Sequence, residues 1–158
     1  MSQSIADSLR AERCIAINNA YQLAPWAAAL CAQDHSWWRE HPSAREFAGR
    51  KFSCNKIVGV EQVFSDYVQR GSSSGVLGLE VARRMGCETG IKEIELHGFD
   101  NHGTHYFGLH PEPLRNTTQE RFNFFAVQLA ALGGEMKKAG FRIINRTPNS
   151  ALRCFEVN

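Results

Sequence analysis

Residues able to do chemistry are gathered in a few short polar segments. Gly71-Ser72-Ser73-Ser74-Gly75 stands just before the apolar run VLGLEVARRM. A helix opening there would offer unpaired N–H groups, the positive end of its dipole and serine hydroxyls, which together can hold a phosphate or carboxylate. Ser73, Ser74 and Gly75 are the candidate contacts, although serine at this place also serves simply as a helix cap. The spacing matches neither the phosphate loop that ends in Gly-Lys-Ser/Thr nor a GxGxxG fingerprint, so ATP hydrolysis of that type and standard nicotinamide binding have no support. A second segment, His97-Gly98-Phe99-Asp100, follows a strand-like run. Asp100 could accept hydrogen bonds from sugar hydroxyls or hold an imidazole, or form an Asx turn that needs no ligand. The stretch NHGTHYFGLHP adds His102, His105 and His110. Histidine moves protons near neutral pH. His105 and His110 are the stronger candidates for a catalytic base, because Tyr106, Phe107 and Pro111 could hold their loop. These histidines with His97 and Asp100 match no established metal spacing, and no metal site is assigned.

Other polar residues are candidates for binding. The Asn18 and Asn19 amides could read a base or ribose edge, or cap a strand. The same two readings apply to Asn145, Thr147 and Ser150 in NRTPNS. Asp34 beside His35 is a further ligand-edge candidate, and His97 joins the binding set. Trp26, Trp37, Trp38 and Tyr21 could stack on a planar ring, build core, or form an oligomer contact.

The elements that must carry these residues alternate. Cys14 to Asn18 reads as a buried strand ending at Asn18-Asn19. Ala27 to Ala32 fits a short helix after Pro25, while LCAQD fits a brief strand ending at Asp34. Ser43 to Phe47 suggests a helix, and RKFSC a strand near a sheet edge. Residues 57–70 hold no sustained period. VLGLEVARRM puts Val76, Leu79, Val81, Ala82 and Met85 near one side of a helix. Lys92 to Leu96 reads as a strand, Gln119 to Lys138 as a long helix stopped by Gly140, Phe141 to Asn145 as a strand, and Ala151 to Val157 as a final short strand. Strands separated by helices, with polar residues at the strand ends, predict an α/β fold. The expected form is one domain over residues 1–158, three-layered and Rossmann-like, with a mostly parallel sheet and ligands outside its carboxyl edge.

Composition narrows the function classes. The 158 residues suit one domain with a real core, and a formal charge of +2 gives no strong nucleic-acid signal. No apolar run reaches membrane-spanning length, and the opening MSQSIADSLRAER has no secretory pattern, which predicts a cytoplasmic protein. The five scattered cysteines form no CxxC pair and read as core thiols rather than a disulfide framework or zinc site.

Taken together, IAINNAYQLAPWA, AQDHSWW, GSSSG, HGFD followed by HYFGLHP, and NRTPNSAL resemble a group of small phage-encoded proteins. That group is similar in turn to sialyltransferase-like and methanopterin-pyrophosphokinase-like Rossmann proteins. The resemblance covers most of the chain and implies a nucleotide or nucleotide sugar bound at the strand ends, in the cytoplasm of an infected bacterial host. It implies Asn18 and Asn19 near the nucleotide, Ser73, Ser74 and Gly75 near ribose or phosphate, Asp100 at the ligand edge, and His105 or His110 as base. Longer relatives begin with a strand and a Gly-Pro-Ser loop ahead of the helix corresponding to Ser4 to Glu12, so the sheet is expected to lack that first strand. The leading expectation is transfer of a glycosyl or nucleotidyl group, with Asp34 or Asp100 helping to hold a divalent cation if the donor requires one. The alternatives are a noncatalytic protein that captures a nucleotide or signalling molecule, and an interaction protein or homo-oligomer whose aromatic segment forms the contact.

Overall fold

A computed structural model describes residues 2–103, 112 and 116–157. The chain divides into two compact units, Met1–Val81 and Ala82–Asn158, with the boundary inside one helix.

The first unit opens with helix α1 (Gln3–Ser8), capped by the Ser2 hydroxyl, which accepts from the Ile5 N–H. Its sheet contains β1 (Ile15–Ile17), β2 (Ala29–Cys31), β3 (Arg50–Ser53) and β4 (Glu61–Gln62), in that spatial order and all parallel. Ala29 to Cys31 is strand, not the alanine-rich helix that was one of its two sequence readings. Helix propensity is a weak preference, and this segment pairs on both sides and is buried on both faces. Strand β3 lies second from the sheet edge, as RKFSC suggests, with the two-residue β4 pairing outside it. The segment read as a helix near Ser43 is a 3-10 turn over Pro42–Glu46. Between β2 and β3 lies α2 (His35–Glu40), whose Trp37 and Trp38 are 3% and 1% exposed. Both indoles are tied inward: Trp37 donates to Asn19 Oδ1 at 2.7 Å and Trp38 to the Ala32 carbonyl at 2.9 Å. They pack with Leu30, Ala16, Ala44 and Phe47 in a core cluster.

Helix α3 (Ser74–Thr89) begins in the first unit and ends in the second. Its apolar residues Val76, Leu77, Leu79 and Val81 are all buried. The second unit has a parallel sheet of β5 (Glu93–Leu96), β6 (Arg142–Asn145) and β7 (Glu156–Val157). Only the last two residues of the run read as a final strand pair. Helix α4 (Gln119–Lys138) has the bounds its sequence predicts, and its ends explain why. Thr118 accepts from the Arg121 N–H at the start. At the finish Gly140 takes φ 81, its N–H donates to the Lys137 carbonyl, and the Phe141 N–H donates to Met136, which is a Schellman stop. Phe125, Leu129, Leu132 and Met136 form the buried stripe.

Gly133 and Gly134 sit side by side in α4 and differ in kind. A Cβ on Gly133 would lie 2.5 Å from Phe155 Cε1, whereas one on Gly134 would meet nothing within 4 Å. Gly133→Ala should therefore destabilise the protein by about 1–3 kcal/mol through overpacking. Gly134→Ala should stabilise it by about 0.5–1 kcal/mol through helix propensity. Chemical denaturation of the two variants checks this, and equal effects would count against the close ring approach.

Candidate functional site

Parallel pairing brings polar residues to a common edge in each unit. In the first, Ile17, Cys31 and Phe52 are in register, so the residues that follow them leave the sheet together at its carboxyl side. Asn18 turns the chain there at φ 49, a left-handed conformation that asparagine tolerates better than most residues. Asn19 is committed to the Trp37 indole.

Gln33 organises the centre of this edge and is 1% exposed. Its main-chain N–H donates to Ser74 Oγ at 2.9 Å, joining the end of β2 to the start of α3. Its main-chain carbonyl accepts from Asn55 Nδ2 at 2.6 Å and Ser53 Oγ at 3.2 Å. Its side-chain Nε2 donates to the Gln69 carbonyl at 2.7 Å. Oε1 is buried and has no hydrogen-bond partner among the described residues.

The start of α3 is rich in donors. Ser73 Oγ accepts from the Val76 N–H at 3.1 Å, a helix cap. The hydroxyl hydrogens of Ser73 and Ser74, and the main-chain N–H groups of Ser74 and Gly75, meet no acceptor among the described residues. Two charged residues lie near this edge: burial and then Asp34 push the Cys54 thiol up, while Arg70 and a backbone hydrogen bond pull it down. Arg70 is exposed and has no carboxylate partner among the described residues. Asp34 is exposed at the N-cap position of α2, where its carboxylate does not accept a capping N–H. This edge can hold an anion with hydrogen-bond donors and one guanidinium.

In the second unit the segments after β5 and β6 are stitched together. Asn145, fully buried, donates to Ser150 Oγ at 2.9 Å and accepts the Thr147 N–H at 3.0 Å. Thr147 Oγ1 accepts the Phe99 N–H at 2.9 Å, and the Ala151 N–H donates to the Asp100 carbonyl at 2.8 Å. The side chains of Asn145, Thr147 and Ser150 are therefore spent on shaping loops. The Asp100 main chain is clamped, while no described residue hydrogen-bonds to its carboxylate. His97 Nε2 lies 3.3 Å from Glu95 Oε2, and Glu95 also pairs with Arg146.

The sequence candidates thus divide between the units. Asn18, Asn19, Asp34, Ser73, Ser74 and Gly75 belong to the first edge, and His97 and Asp100 to the second. His105 and His110 lie outside the described residues. Trp37 and Trp38 are core rather than a stacking platform, because Trp37 already faces His41 in a stack at 4.4 Å and Trp38 is enclosed. Sequence reasoning passed over Gln33, Ser53, Asn55 and Arg70. The available signal was a polar residue directly after the apolar strand ALC and a cation just before GSSSG. Among the described residues, no three His, Cys, Asp or Glu side chains gather as a metal-ligand set, and no helix is long and apolar enough to cross a membrane.

The Arg146 hydrogen bond is the largest influence holding the Glu95 carboxyl below its usual 4.5, helped by the Arg146 charge and by His97 and opposed by burial. A carboxyl lowered by folding adds stability that is complete above its unfolded range and lost as pH falls through the folded value. Arg146→Met should lower stability near neutral pH by up to about 1 kcal/mol, the usual worth of a half-exposed pair. The difference should close on acidification below the carboxylate range. Urea unfolding at neutral and acidic pH checks this, and a pH-independent difference would mean that Arg146 acts through packing instead.

No protein-family model matches the chain, and no curated protein or solved structure matches it either.

Proposed function

We propose that the chain binds a phosphate-bearing nucleotide at the carboxyl edge of β1 to β3, with the phosphate over the start of α3. The observation that carries this reading is the group of unengaged donors at Ser73, Ser74 and Gly75, with Arg70 nearby. A helix start favours an anion through its N–H groups and its dipole together. Arg70 adds a charge-assisted contact. Asn18 and Asn19 stand further along the same edge, where an amide nitrogen can meet a base or ribose. The reading takes the chain as a Rossmann-like domain, an architecture in which nucleotides sit outside the strand ends.

Titration calorimetry with nucleoside mono- and diphosphates tests it. Saturable binding of the phosphorylated forms, but not of the bare nucleosides, is expected. Arg70→Gln, an exposed change, should weaken binding about tenfold with little effect on stability. Failure of every nucleotide to bind would end the proposal.

Group transfer from such a nucleotide is the second reading, as the resemblance of the sequence implies. In that reaction a base takes the proton of an acceptor hydroxyl, the oxygen bonds to the transferred group, and the nucleotide leaves with the electrons of the broken bond. Turnover of a nucleotide sugar by the wild-type protein with a panel of acceptors would establish this reading. Binding without turnover in the wild-type protein would leave capture as the activity.

A further inference from the structure

Helix α4 carries two apolar stripes, one buried and one exposed. Phe125, Leu129, Leu132 and Met136 make the buried one. On the opposite side, at intervals of four and three residues in turn, stand Glu120, Phe124, Val127, Ala131, Gly134 and Lys138. That alternation keeps a row on one side of a helix and is the spacing of a coiled-coil seam. All six residues are exposed, Phe124 by 53% and Val127 by 68%. A surface helix ordinarily turns charged residues outward. Here the four middle positions of the outer row are apolar or small, and charge stands only at its ends, negative at Glu120 and positive at Lys138.

We propose that this face pairs α4 with the α4 of a second copy of the chain, antiparallel about a two-fold axis. The row is its own complement. With the axis midway between Val127 and Ala131, Val127 meets Ala131 of the second copy, Phe124 meets Gly134 and Glu120 meets Lys138, and every contact occurs twice. A larger side chain faces a smaller one at each apolar level. A Cβ on Gly134 would meet nothing within 4 Å, so a Phe124 ring has room above it. Lys138 already pairs with Glu135 at 2.7 Å, and its three hydrogens let it keep that partner while meeting Glu120. Parallel helices would set Glu120 beside Glu120 and Lys138 beside Lys138, so charge selects the antiparallel arrangement. A single helix pair lies at the small end of specific interfaces, below about 1,200 Å² in total, and the expected dissociation constant is about 10–100 µM. The contact uses the second unit alone and is independent of the nucleotide reading.

Sedimentation velocity on the full chain, from about a tenth of that constant to about ten times it, tests the pairing. Wild type should pass from monomer to dimer across this range. Val127→Glu, and Ala131→Glu at the facing position, should each weaken association by at least about a hundredfold, because a carboxylate would be buried at both symmetric contacts. Both positions are exposed, so unfolding of the dilute protein should not change. Glu120→Lys alone and Lys138→Glu alone should each pair about fivefold to tenfold more weakly, whereas the two variants mixed should pair as wild type does, since each offers the charge that the other lacks. A wild-type protein that stays monomeric throughout, or a dimer that neither Val127→Glu nor Ala131→Glu weakens, would overturn the proposal. Charge variants that pair no better mixed than alone would overturn the antiparallel register.

Discussion

The hydrogen bond from the Gln33 main chain to Ser74 Oγ is the joint on which the first unit's edge depends. A parallel strand ends with main-chain groups that the sheet no longer pairs, and a helix begins with the same difficulty in its N–H groups. Here one serine oxygen meets the strand's surplus N–H and leaves its own hydrogen available. Asn55 and Ser53 close the Gln33 carbonyl from the neighbouring strand's end. The outcome is a strand end whose main chain is engaged at Gln33 and a helix start whose donors at Ser74 and Gly75 meet no acceptor among the described residues.

The second unit solves the same problem by another route. Asn145 serves as a small cross-brace, with both ends of its amide used inside the loops. Ser150 accepts from the Leu152 N–H and donates to the Phe99 carbonyl, so one hydroxyl links three segments. Buried polar groups of this kind hold a loop in a single arrangement provided every member is satisfied. Outside this bracing, cross-strand ion pairs such as Arg142 with Glu93 and Glu156 remain solvent-exposed and contribute little to stability.

How much of this was legible in the sequence varied with how local the deciding forces are. Helix α4 was readable to the residue because a regular apolar stripe runs through it and a glycine stop follows it closely. Strands β5 and β6 were also readable, since β-branched residues end at polar ones. Strand β2 was ambiguous because alanine, leucine and cysteine suit either element, and the choice was made by pairing on both sides. Strand β4 could not be read at all: two residues become a strand only because β3 lies beside them. At the candidate site, the serines before α3 were visible as a type of residue in a type of place. Gln33 was not, because nothing in the letters AQD tells which of the two polar residues is enclosed and which faces water.

Asn18, Asn101 and Asn149 all hold left-handed backbone, at φ 49, 56 and 57. At such positions a side-chain amide and an unusual main-chain geometry are superimposed, and most replacements disturb both. Glycine alone preserves the curve of the chain while deleting the amide. These three turns are thus places where a contribution from chain direction can be separated from one made by chemistry, using a single substitution at each.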